Sequence, residues 1–81
     1  MEIIKVYGTR WCGDCKRALR ILNTRDFQYE WIDIDQDAEG EKLVKTANHG
    51  NRSVPTIIFP DQSILVEPSN QSLIEKLDQI Q

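Results

Sequence analysis

Apolar side chains recur along this chain in short runs and in longer spaced patterns. Ile3 to Tyr7 is a β-branched and aromatic run closed by Gly8, which predicts a buried strand. Cys15, Ala18, Leu19 and Leu22 follow the i, i+3, i+4, i+7 spacing of an amphipathic helix. That helix is expected to begin near Cys12 and to fray by Thr24 or Arg25. Tyr29 to Ile34 predicts a second strand. The acidic stretch Asp33 to Asp37 then leads into a second helix, with Asp35 or Asp37 as its cap. Leu43, Val44 and Ala47 are expected on its buried stripe, and Gly50 at its C-terminal stop. Gly40 inside this helix costs roughly 1 kcal/mol relative to Ala. Thr56 to Phe59 predicts a third strand, Pro60 to Ser63 a turn, and Ile64 to Val66 a fourth strand. Pro68 and Ser69 open a last helix, with Ser69 as N-cap and Leu73, Ile74, Leu77 and Ile80 on one face.

The predicted order is β-α-β-α-β-β-α. Its first βαβ unit requires parallel strands, and its closing hairpin an antiparallel pair. The expected class is therefore α/β, with a mixed four-stranded sheet and helices on both faces. At 81 residues, one domain spanning 1–81 is expected, with no internal repeat or linker. A chain this short buries roughly 60% of its unfolded surface, so its core has little to spare.

Composition adds exclusions. The chain is 40% hydrophobic and 28% charged, ordinary for a globular protein. No apolar run approaches the roughly 20 residues of a membrane span. The first seven residues are too short and charged for a secretory signal, so a cytoplasmic location is the default expectation. The net charge of −3 argues against nucleic acid as a partner. The charge is uneven: residues 1–25 carry six Lys or Arg against two acids, and residues 26–81 carry four against eleven. The basic stretch surrounds both cysteines. It can favour a thiolate and an anionic substrate, or simply be a solvated helix face.

Those cysteines, Cys12 and Cys15, form a single C-x-x-C at a strand-to-helix turn, which reads as a thioredoxin-like redox motif. The spacing brings two sulfurs together within one helical turn. The first lies at the helix N-terminus, where free N–H groups and the macrodipole favour a thiolate, the attacking species. Asp14 opposes that effect by like charge, whereas Arg10, Lys16 and Arg17 support it. A structural zinc site would ordinarily take four N or S ligands, and the chain adds only His49 to its two cysteines. A purely structural disulfide would close too small a loop to stabilise much. His49 is expected to close the second helix and Trp11 to pack beside the cysteines. Trp31 is left open between core and surface.

Trp11-Cys12-Gly13-x-Cys15, then Asn48-x-Gly50-Asn51-Arg52-Ser53-Val54-Pro55-Thr56, then Pro68-Ser69, resemble the glutaredoxin family of the thioredoxin-like superfamily, most of all its mycoredoxin branch. The resemblance covers essentially the whole chain. It implies a cis Val54–Pro55 bond facing the cysteines, with the Val54 backbone offered to an extended substrate as a strand edge. It implies reduction of disulfides, in particular mixed disulfides with a low-molecular-weight thiol, through Cys12 as nucleophile and Cys15 as resolving thiol. The co-substrate is glutathione, mycothiol or a similar thiol, with no bound cofactor or metal. The partners are disulfide-containing proteins and a thiol or reductase as electron donor, the chain acting as a monomer. The small thiol is expected in a groove between Arg10, Trp11 and Asp14, Arg52 to Pro55, and Ser69-Asn70. Arg52 would face its carboxylate or hydroxyl-rich head. Glutathione-using members usually carry C-P-Y-C, with an aromatic where Asp14 stands. They also carry Gly-Gly-x-Asp where this chain has Val66-Glu67-Pro68-Ser69-Asn70. Two other functions fit the same cysteines: a dithiol electron donor to a protein such as ribonucleotide reductase, recharged by thioredoxin reductase, and a non-catalytic metal or iron–sulfur module.

Overall fold

In β1 (Ile4–Gly8) alternate residues point to opposite faces of the sheet, and each face meets a different layer of helix. The computed structural model describes residues 3–80. β2 (Tyr29–Asp33) pairs parallel with β1, from Ile4 opposite Tyr29 to Gly8 opposite Asp33. α1 (Gly13–Thr24) carries the crossover between them. β3 (Thr56–Ile58) lies antiparallel on the other side of β1, and β4 (Ile64–Val66) antiparallel to β3. The strand order is β2-β1-β3-β4, a mixed four-stranded sheet of the thioredoxin-like kind.

Ile4 and Val6 face one way and pack with Ala18 and Leu22 of α1, Ile57 and Phe59, and Leu73 and Leu77 of α3 (Asn70–Ile80). Tyr7 faces the other way and packs with Ile32, Ile34 and Val44 of α2 (Ala38–Ala47). The strands end slightly differently from the sequence expectation. Gly8 belongs to β1 because its carbonyl accepts the Ile34 N–H at 2.9 Å. β2 stops at Asp33, whose carboxylate accepts the Asp35 N–H at 2.9 Å and turns the chain. Phe59 leaves β3 for the turn, its N–H bonding the Ser63 carbonyl at 2.9 Å.

Of the two candidate caps for α2, Asp37 is the one used, its carboxylate accepting the Gly40 N–H at 2.9 Å. Ala47 was expected in the core and is exposed. The next inward position after Val44 is taken by Asn48, whose Nδ2 donates to the Val44 carbonyl at 2.8 Å and to Thr56 Oγ1 at 3.2 Å. α2 ends at Ala47, and the reversal is completed by His49 and Gly50 at φ 56° and 93°. Ser69 caps α3 as expected, its hydroxyl accepting the Ser72 N–H at 3.1 Å. Among the described residues, no helix is long and apolar enough to cross a membrane.

Gly40 is required by a close approach: a Cβ built there would lie 2.8 Å from Ile32 Cγ2. Ile32 is β-branched and buried, so it yields little. Gly40→Ala should therefore destabilise the fold by about 1–3 kcal/mol, overpacking outweighing the better helix propensity. Urea denaturation checks this, and a variant more stable than the parent would contradict it.

Candidate functional site

The two cysteines differ in what the first turn of α1 does to each. Cys12 is the N-cap, with φ −84° and ψ 115°, and its Sγ accepts the Cys15 backbone N–H at 3.2 Å. A sulfur in this position satisfies one of the helix's free donors. The Cys12 N–H in turn donates to the Thr9 carbonyl at 3.3 Å, which fixes the turn out of β1. The Cys12 thiol is directed at the Val54 carbonyl, 3.9 Å away, across the cis Val54–Pro55 bond. Cys12 is 9% exposed and Cys15 0%; both are free thiols.

Cys15 faces the sheet at Gly8. A Cβ on Gly8 would lie 2.5 Å from Cys15 Sγ and 2.7 Å from the Trp31 ring, so the sulfur occupies the space that the missing side chain leaves. Trp31 thus belongs to the layer beneath α1, which resolves the alternative the sequence left open. Burial pushes the Cys15 thiol up to about 12, reinforced by its hydrogen bond to Cys12 and by the charges of Cys12 and Asp14. A backbone hydrogen bond with Thr9 opposes the rise.

The Val54–Pro55 segment is held from both sides. The Pro55 carbonyl accepts the Glu67 N–H at 2.8 Å, and Thr56 Oγ1 donates to the Ser53 carbonyl at 2.7 Å. Asp35 joins this loop to the turn before Cys12. It accepts the Trp11 indole N–H at 3.1 Å and Arg52 Nη2 at 2.5 Å. Arg52 Nε also meets Glu41 at 2.7 Å. These contacts hold the Asp35 carboxyl below its usual range and raise Arg52 further. Trp11 is 69% exposed, yet its ring is tethered.

On the other flank, Arg17 donates to Asp14 at 3.1 Å and to the Asn70 side chain. Through Arg17, Asp14 is linked to Asn70 at the start of α3. Its i, i+3 spacing to Arg17 places both on one helix face. Arg10 is exposed in the turn that precedes Cys12. Among the described residues, no group of three or more His, Cys, Asp or Glu is placed to hold a metal ion.

Sequence reasoning passed over Gly8, Trp31, Asp35 and Glu41 as parts of the site, and read Arg17 only as a charge near the thiol. A glycine closing a strand was the one available signal for Gly8. The pairings of Asp35 and Glu41 with Arg52 span 17 and 11 positions and leave no local pattern.

Iodoacetamide near neutral pH should label Cys12 much faster than Cys15. With Cys12→Ser, labelling of Cys15 should stay slow until well above the ordinary thiol range of about pH 8.5. Peptide mass mapping reads both, and equal rates would contradict the assignment. Because the folded Cys15 thiol is raised above its unfolded value, its contribution to stability is full below about pH 8.5 and is lost as pH climbs toward 12.

Comparison with known proteins bears on the same residues. The glutaredoxin family model matches residues 4–64, which include both cysteines and Pro55. Mycoredoxin 1 of Corynebacterium glutamicum is 36% identical over 78 residues, covering 96% of each chain. The crystal structure of a glutaredoxin from Archaeoglobus fulgidus superposes with a TM-score of 0.75 at 27% identity, over 95% of this chain and 87% of that one. The thioredoxin-like protein BC3987 superposes at 0.73 with 26% identity, over 96% and 99%. With the fold, the cysteine pair and these matches in agreement, the chain belongs to the glutaredoxin family.

Proposed function

We propose that this chain is a thiol–disulfide oxidoreductase that reduces mixed disulfides between proteins and a low-molecular-weight thiol. The observation that carries the reading is the asymmetry of the pair. Cys12 holds its sulfur at the helix end against the Val54 loop, and Cys15 holds its own beneath, against Gly8. The resemblance to mycoredoxins favours a thiol of the mycothiol kind.

In the first step the Cys12 thiolate attacks the small-thiol sulfur of the mixed disulfide. A Cys12–S bond forms, the original S–S bond breaks, and the protein leaves as a thiolate that takes up a proton. A second small thiol, as thiolate, then attacks the sulfur attached to Cys12. It departs as a symmetric disulfide and restores Cys12. For a protein disulfide the Cys15 sulfur attacks Cys12 instead, losing its proton, and the partner is released as Cys12 and Cys15 join. A thiol as high as Cys15 supplies little thiolate at neutral pH, so the first route dominates with small thiols. The Val54 backbone gives the substrate peptide an edge to pair with, and the Arg52–Pro55, Trp11, Asp14 and Ser69-Asn70 surfaces border the thiol. The partners are disulfide-containing proteins, with a small thiol or a reductase as electron source.

Cys15→Ser should retain most turnover on a small-thiol mixed disulfide, and Cys12→Ser should abolish it. The assay follows release of free thiol from a defined peptide disulfide. If Cys15→Ser is inactive on every mixed disulfide tried, the thiol-dependent route fails and a dithiol donor to a protein partner becomes the better reading.

A further inference from the structure

Two cations of α1 are placed where the helix itself gains nothing from them. Lys16 and Arg20 stand four positions apart on one exposed face, a like-charge spacing that weakens a helix. No carboxylate lies three or four positions from either in the sequence. Among the described residues, neither has a carboxylate within ion-pair distance. The last turn of α1, where the helix dipole would favour a cation, holds none. Arg17 and Arg25, on the side toward α3, are the ones that find carboxylates, Asp14 and Asp78. Lys16 and Arg20 are left facing solvent, beginning one turn beyond Cys12.

Support of a Cys12 thiolate accounts for only the nearer of the two. Arg20 is eight positions beyond Cys12, roughly 12 Å along the helix axis. That exceeds the Debye length of about 10 Å at 0.1 M salt, so across solvent Arg20 adds little at the sulfur. The surface between them is open: Gly13 is exposed, and a Cβ built there would meet nothing within 4 Å. A polypeptide whose disulfide meets Cys12 has an unobstructed path over Gly13 to both cations. Residues 26–81 carry eleven acids against four bases, so an acidic partner is attracted chiefly at α1.

We propose that Lys16 and Arg20 form a docking ridge for protein partners whose mixed disulfide lies in an acidic segment, the segment's carboxylates pairing with the two cations while its disulfide meets Cys12. The inference rests on the mixed-disulfide reading above and names the chemical class of its protein substrate.

The experiment is a single-turnover reaction of the reduced Cys15→Ser protein with three peptides that differ only in the residues on both sides of one cysteine: Glu, Gln or Lys. Each carries the neutral thiol 2-mercaptoethanol as its mixed disulfide. Cys12 takes the mercaptoethanol sulfur and the peptide leaves as a thiol, so mass spectrometry of the Cys12 adduct gives each rate. The Glu peptide should react fastest and the Lys peptide slowest, with a Glu-to-Lys ratio on the order of three- to tenfold at low salt. Added salt should shrink that ratio. Arg20→Gln should lower the Glu-to-Gln ratio about twofold, and Arg20→Lys should keep it. Lys16→Glu combined with Arg20→Glu should reverse the order of the peptides. A change in Cys12 thiolate alters all three rates alike and cancels in the ratios. Lys45→Gln, on α2 across the sheet, changes net charge by the same amount as Arg20→Gln and should leave the ratios unchanged. Equal rates for the three peptides, or a Lys45→Gln effect as large as that of Arg20→Gln, overturn this inference and leave the proposed function standing. No adduct with any of the three overturns the proposed function and this inference with it.

Discussion

The contact on which the site depends is between a sulfur and a missing side chain. Cys15 Sγ sits where a Cβ on Gly8 would be, with the Trp31 ring closing the same space. This lets the first turn of α1 lie directly on the end of β1. Cys12 is then the residue that must leave the strand-like path and cap the helix. With β1 fixed between β2 and β3, the loop entering β3 is carried to the same end of the sheet. The Val54 carbonyl consequently faces the Cys12 thiol. The full burial of Cys15 and the placing of the Cys12 sulfur at the helix end are one geometric event.

The electrostatic surroundings follow a second logic. The basic excess of the first 25 residues suggests a cationic site, but Arg17 is paired with Asp14 of the same stretch, and Arg52 of the later chain with that chain's own acids. Asp14 and Asn70 take Arg17, and Asp35 and Glu41 take Arg52. Exposed pairs of this kind add little to stability. Their consequence is chemical, because they decide which charges remain for a substrate to meet. Asp35 was legible as a possible helix cap. With Asp37 in that role, its carboxylate is left to join Trp11 and Arg52.

Local signals read well where the cause is local. The i, i+3, i+4 stripe of α1, the Ser69 cap and the Pro60–Ser63 turn all lie within a few residues of what they specify. So did the Cys12–Cys15 pair itself. The cis Val54–Pro55 bond was reached through family resemblance and is present. Ala47 failed because a spacing rule cannot tell where a helix runs past the sheet, and Asn48 serves the inward position there. The pairing of Asp14 with Arg17 is local, but Arg17's second partner, Asn70 of α3, lies 53 positions away and leaves no pattern in the sequence. Gly40 looked like a weakness in α2 and is a fitted contact with Ile32. In each case the missing information was which elements the fold would bring face to face.

The division of labour between the two thiols can be read without any substrate. With 13Cβ-labelled cysteine in the reduced protein, the Cys15 resonance reports its protonation directly as pH is raised. It should keep its thiol position past about pH 10, since the thiol is pushed up to about 12 by burial against Gly8 and Trp31. A Cys15 transition at or below about pH 8.5, the ordinary value of a free thiol, would contradict it.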